Sequence, residues 1–181
     1  MATIVIPTFN RGELLPHSIE SALSQTVRCE VIVVDHGSTD QTPKVVDEWG
    51  SAIRYLRREV DSGPQFSWLD GAMLASHEFV KILHDDDWLD ASFMERCLSL
   101  MDSTTGFVFS AAHVTDMSQK PINTLFHDAF PKSGVYGSDS ERLRVARMMI
   151  SPTALVLRRQ ELMDGIYVDR LPFQENTFHG A

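Results

Sequence analysis

Asp85, Asp86 and Asp87 stand side by side in FVKILHDDDWLD, residues 79–90, directly after an apolar run with the character of a buried strand. Three adjacent carboxylates repel one another, so a folded domain either splays them into water or holds them with a cation. Hard divalent ions take oxygen ligands of this kind. An acidic loop or a helix start explains them equally well, because residues 88–101 have helical character and carboxylates are favourable at the positive end of a helix dipole. On this stretch alone the two readings stand level.

Two further polar motifs, TFN at residues 8–10 and DHGSTD at residues 35–40, also follow apolar runs. Neither is a phosphate cradle. IPTFNRGELL holds a single glycine, so the chain lacks the G-x-G-x-x-G of dinucleotide folds, and it has no G-x-x-x-x-G-K-[ST] loop. A nucleotide diphosphate bound without such loops needs a metal to offset its charge, and Asp85 to Asp87 is the group suited to hold one.

These motifs need elements to position them. TIVI, residues 3–6, is a short β-branched run. Asn10 and Glu13 then have capping-box spacing ahead of the apolar positions Leu14, Leu15, Ile19, Ala22 and Leu23, so a strand, a loop and a helix are expected. CEVIVVD, residues 29–35, is a nearly continuous apolar strand of the sort covered on both faces. Thr42 followed by Pro43 predicts an N-cap and a helix to about Trp49. IRYLR (53–57) and FVKIL (79–83) predict strands, with a helix over 66–77 between them. Strand and helix alternating at this spacing imply right-handed crossovers and a mostly parallel sheet, with all three polar motifs at carboxyl ends of strands, where open α/β sheets bind ligands. Later in the chain, GFVFSAAHV (106–114) reads as one strand, 121–137 as an irregular or hairpin insertion, 138–149 as a helix and TALVLRR (153–159) as a last strand.

With 181 residues the chain suits one well-cored domain. A formal charge of −9, from 16 basic and 25 acidic residues, argues against a sequence-independent nucleic-acid binder, which needs a basic surface. Cys29 and Cys97 fall inside strand and helix patterns and read as small core residues rather than a disulfide framework. No apolar run approaches the ~20 residues of a membrane-spanning helix, and the first residues lack signal-peptide character, so the expected location is cytoplasmic, including the inner membrane face. A homo-oligomer is compatible with this composition.

Taken in order, IVIPTFNRGELLPHSIESALSQT, EVIVVDHGSTDQT, DSGPQFSWLDGAMLAS and FVKILHDDDWL resemble the family 2 glycosyltransferases over about residues 3–89, with a weaker echo in SPTALVLRRQELMDGIYVDRLPFQEN. The resemblance implies a GT-A fold, with residues 1–101 as the nucleotide-sugar half and 102–181 as an acceptor half that ends short for the family. It implies a nucleotide-diphosphate sugar as donor, Mn or Mg as cofactor, mostly inverting transfer, and a glycan, lipid-linked or other hydroxyl acceptor. Carried over by motif, Pro7, Thr8 and Asn10 line the nucleotide pocket and Asp35 accepts a hydrogen bond from the base. Asp35 is also a natural turn-former ahead of GST. Asp86 lies near the ribose and Asp87 holds the metal. Asp85 is a further candidate ligand that ranks below Asp87, because many relatives carry another aspartate where His84 stands here; His84 itself is expected to pack or hydrogen-bond rather than to ligate.

The resemblance further implies a general base in a late Glu-Asp pair, which aligns with Glu175 and Asn176 here, and of these two only Glu175 can serve. Trp68 and Leu69 replace an arginine and an asparagine that many relatives carry. Trp68 and Trp88 suit stacking on a sugar or base, or the core. Two other classes compete: a nucleotide-sugar-binding module without turnover, favoured by Asn176, and a phosphotransfer receiver, which fits poorly because its acidic pair should follow the first strand.

Overall fold

The computed structural model describes residues 1–61, 63–116, 120–125, 134 and 154–165. Glu175, Asn176 and the helix expected over 138–149 lie outside them.

β1 (Ala2–Thr8), β2 (Cys29–Asp35), β3 (Arg54–Arg57) and β4 (Phe79–Ile82) form the parallel part of a six-stranded sheet. β5 (Phe107–Phe109) and β8 (Leu155–Arg158) complete it, in the order β3-β2-β1-β4-β8-β5, with β8 antiparallel to both neighbours. The stretch expected as one strand over 106–114 breaks at Ser110 and Ala111. Its second part, β6 (Ala112–Thr115), leaves the main sheet and pairs antiparallel with β7 (Pro121–Leu125), a hairpin within the insertion.

Alternation along the central strands sorts their side chains onto two faces. Ile4, Ile6, Val31 and Val33 point one way and pack with Leu15 and Ile19 of α1 (Leu15–Leu23), Val46 of α2 (Thr42–Asp47) and Met94 of α4 (Phe93–Ser99). Val5, Ile32, Val34, Val80 and Ile82 point the other way. They meet α3 (Pro64–Leu74) and Leu162 of α5 (Arg159–Gly165). Most of these side chains are wholly buried, worth roughly 1.5–3 kcal/mol each. Gly71 is where α3 comes down on β1: a Cβ there would fall inside the Val5 side chain.

Two helix starts differ from expectation. No side chain caps α1. It begins at Leu15 with Pro16 in its first turn, and Asn10 is drawn away into a loop contact. The residue flanking α2 is Gln41, and Thr42 already lies inside the helix. Asp40 Oδ1 accepts the Thr42 N–H at 2.9 Å, while the buried Thr42 hydroxyl makes no hydrogen bond of normal geometry among the described residues. The helix expected over 88–101 is confined to α4, because 84–92 form an extended turn held against α1.

Candidate active-site cleft

The carboxyl ends of β1, β2 and β4 lie side by side, because Thr8 pairs with Asp35 and β4 runs along the other flank of β1. Above them opens a cleft of about 380 Å³ walled by Pro7, Thr8, Phe9 and Arg11 after β1, His36 after β2, Asp61, Pro64, Ser67 and Trp68 around the start of α3, and His84, Asp85 and Asp86 after β4. The expectation that three strand ends converge is met by Pro7 and Thr8 of β1, His36 after β2, and Asp85 and Asp86 after β4. Asn10 and Asp35 are not among the lining residues.

Asn10 and Asp35 shape the loops instead. Asn10 takes a left-handed φ of 53°, and its Oδ1 accepts the Thr39 N–H at 2.8 Å while its own N–H donates to Ser38 Oγ at 2.9 Å. Asp40 Oδ2 accepts the Gly12 N–H at 3.0 Å, so three hydrogen bonds tie the loops after β1 and β2 together. Asp35 is wholly buried. Its Oδ1 accepts the Ser38 N–H at 2.8 Å and its Oδ2 accepts the Tyr55 hydroxyl at 2.6 Å, with Arg57 Nε 3.4 Å away. Burial, together with that hydrogen bond, pushes the Tyr55 hydroxyl well above its ordinary range. Gly37 follows at φ 83°, where a Cβ would press on the Glu59 carbonyl.

The acidic turn divides its three carboxylates. The Asp87 N–H donates to the His84 carbonyl at 3.1 Å, closing a tight turn that sets Asp85 inward and leaves Asp86 and Asp87 within 4.8 Å of each other. Asp85 is turned inward and 6% exposed, and burial raises its pKa. The Thr8 hydroxyl and Arg11 pull the other way, although the Thr8 oxygen makes no hydrogen bond of normal geometry among the described residues. Arg11 Nη1 donates to Asp86 Oδ2 at 2.5 Å and approaches Asp85 Oδ1 at 3.4 Å, a cation supplied by the chain itself. Those contacts, the Asp86 bond foremost, raise the Arg11 pKa.

His84, Asp86 and Asp87 each offer a ligand atom within 4.8 Å of the others. All three are partly exposed, with His84 Nδ1 3.8 Å from Asp87 Oδ2. A nitrogen and two carboxylates, open to solvent on one side, fit a divalent ion that keeps positions for a ligand's oxygens. This grouping differs from the expected pairing of Asp85 with Asp87, since Asp85 is buried against Arg11 and His84 stands in its place. Arg11, His36, Asp61 and Ser67 also wall the cleft, and sequence reasoning did not single them out. Arg11 sits beside TFN and Asp61 inside DSGP, but only the turn geometry directs them inward. His36 stands between Asp61 and Asp70, 3.7 Å from each, and Asp70 is paired with Arg58.

An open, mostly parallel sheet with its cleft outside the carboxyl ends of the strands defines an α/β protein of the crevice-binding class. The chain belongs to the glycosyl transferase family 2, whose model matches residues 3–162. It is 38% identical over 112 residues to the GalNAc(5)-diNAcBac-PP-undecaprenol beta-1,3-glucosyltransferase of Campylobacter jejuni, a match covering 59% of this chain and 36% of that protein. To the abequosyltransferase RfbV of Salmonella typhimurium it is 29% identical over 110 residues, 57% of this chain and 33% of the relative. The chain thus spans about a third of the length of these relatives.

Among solved structures, S. aureus TarS 1-349 in complex with UDP-GlcNAc superposes with a TM-score of 0.68 over 91% of this chain and 47% of that one, at 21% identity. The Pyrobaculum calidifontis mannosyltransferase PcManGT in complex with GDP-Man and Mn2+ gives 0.55 over 64% of this chain and 35% of that one, at 25% identity. The fold is that of the GT-A glycosyltransferases. Among the described residues, no helix is long and apolar enough to cross a membrane.

Proposed function

We propose that this domain transfers a sugar from a nucleotide-diphosphate donor to a hydroxyl acceptor, with inversion and with the help of Mn or Mg. The observation that supports this most directly is the meeting of the three strand ends, the acidic turn after β4 among them, around one cleft. A divalent ion held by Asp87, with Asp86 beside it, would supply Lewis-acid stabilisation of the diphosphate leaving group. Pro7 and Thr8 form the floor on which the nucleoside lies, and Asp86 faces the ribose. Asp85, buried and paired with Arg11, sets the position of the turn and the local charge. Asn10 and Asp35 hold the loops that frame the base, Asp35 from a wholly buried position with both oxygens already accepting hydrogen bonds.

Glu175 takes the proton from the attacking hydroxyl, with Asn176 beside it unable to do so. The relative that acts on an undecaprenol-linked glycan supports a lipid-linked or other glycan acceptor, and with it placement at the cytoplasmic face of a membrane. On this reading residues 1–101 carry the donor and 102–181 contribute the acceptor side.

The test is a thermal-shift panel of nucleotide-diphosphate sugars with and without Mn, followed by transfer assays with the donor that binds. A true donor at a hundredfold excess over its dissociation constant stabilises the fold by about 2.7 kcal/mol. Glu175→Gln should keep that stabilisation and lose roughly a hundredfold or more in transfer. Absence of transfer in the natural chain with gain in Asn176→Asp would identify a binding module instead.

A further inference from the structure

Two positions at which this chain departs from the pattern it resembles meet in space. Trp68 stands where arginine is expected and His84 where aspartate is expected, and their rings stack with centroids 6.2 Å apart and planes 19° from parallel. Trp68 Nε1 is buried without a hydrogen-bond partner among the described residues, so the face of the indole, not its polar edge, is what this contact uses. A stacked imidazole keeps its plane while both ring nitrogens remain in its edge. On that edge Nδ1 lies 3.8 Å from Asp87 Oδ2, and the two residues gather with Asp86 within 4.8 Å. Arg11 binds Asp86 through Oδ2 and leaves its second oxygen for an ion.

We infer that His84 is a ligand of the divalent cation, oriented by Trp68, and that this imidazole turns the site's choice of metal toward transition ions, cobalt and zinc before magnesium. Magnesium takes oxygen donors and gives up its waters reluctantly, whereas imidazole suits the first-row transition ions. The residue that orients a metal-bound histidine commonly governs affinity nearly as much as the ligand does. Three protein ligands also hold an ion before any nucleotide arrives. The inference rests on the proposed function only for the presence of a cation at this turn.

The experiment is calorimetric titration of the full chain with Co2+ and with Mg2+ in the absence of nucleotide, together with the visible spectrum of bound Co2+. The wild type should bind Co2+ at least about tenfold more tightly than Mg2+. His84→Asp should remove most of that preference and shift the cobalt bands, as an oxygen replaces a nitrogen. Trp68→Phe, which keeps the stack and loses only an unpartnered N–H, should behave as wild type, and Trp68→Ala should weaken Co2+ binding by about tenfold. Equal affinities for the two ions, or a cobalt preference and spectrum untouched by His84→Asp, would overturn the inference. UDP and GDP titrated in Mg2+ separate the two claims. Nucleotide binding without a His84-dependent cobalt preference sinks the inference and spares the function, and the reverse result sinks the function and spares the inference.

Discussion

A carboxylate at the end of a strand can face a ligand or close a turn, and the bonds of Asp35 show how completely the second role is filled. Both of its oxygens already accept hydrogen bonds, from Ser38 and Tyr55, in a wholly buried position. Reading the residue as crevice-facing would give it little to lose on truncation, and the burial says otherwise. Asp35→Ala strands the Tyr55 hydroxyl and the Ser38 N–H and leaves Arg57 with the Ser38 carbonyl but without its carboxylate. The expected loss is about 1–3 kcal/mol of stability in urea denaturation. Tyr55→Phe, which leaves Asp35 its Ser38 bond, should lose less, about 1 kcal/mol. Equal stability of Asp35→Ala and wild type would refute the turn-closing role.

Helix α1 carries a polar stripe whose purpose is to hold the acidic turn. Ser18 and Ser21, with Gln25 just beyond the end of the helix, follow one another at helical spacing on the side facing residues 84–94. Ser18 Oγ lies within hydrogen-bonding distance of two carbonyls, Asp87 at 2.7 Å and His84 at 3.2 Å, so the two ends of the turn are clasped by one hydroxyl. Ser21 Oγ accepts the Leu89 N–H at 3.2 Å. Gln25 donates to the Asp90 carbonyl and accepts the Met94 N–H, each at 3.0 Å. Mutual repulsion among the carboxylates would open such a turn, and these bonds oppose it. Ser18→Ala should therefore lower stability by about 1 kcal/mol and weaken divalent-ion binding by a larger factor than an equally destabilising change elsewhere on α1. Denaturation and metal titration on one preparation check both halves.

The molecule as a whole is a sheet buried on both faces, and its central layer contains, besides Asp35, a buried cation that such a layer disfavours. Lys81 sits opposite Ile4 in the middle of β4, fully buried, with its ammonium 4.9 Å from the centre of the Phe93 ring. Burial lowers its pKa to about 7, against the smaller upward pull of Cys97 and Asp87. The unfolded lysine titrates near 10.4, so between about pH 7 and 9 the unfolded state binds more protons and stability rises with pH. Above about pH 9 the buried Cys97 thiol, raised to about 11, works in the opposite direction. Urea midpoints should thus climb from pH 7 to 9 by an amount on the order of 2 kcal/mol in stability. Lys81→Met should flatten that climb and be the more stable protein at pH 6, where the folded lysine is charged. A natural-chain profile as flat as that of the variant would show that Lys81 does not titrate in this range.

Periodicity and turn chemistry in the chain determined the alternating strands and helices, the parallel sheet, and the placement of TFN, DHGSTD and HDDD at strand ends, because these follow from local patterns of two and 3.6 residues. The four ordered motifs determined the family as well. Local pattern does not contain the direction a side chain takes once two loops are packed against each other. Asn10, in register for a helix cap, became a loop brace at φ 53°, and residues 106–114 split between two sheets. Which aspartate of three turns inward, that Arg11 reaches across to two of them, and that His84 lies against Trp68 were decided only in the tertiary structure. Each depends on residues 16 to 75 positions apart in sequence coming within bonding distance, and packing alone brings them there.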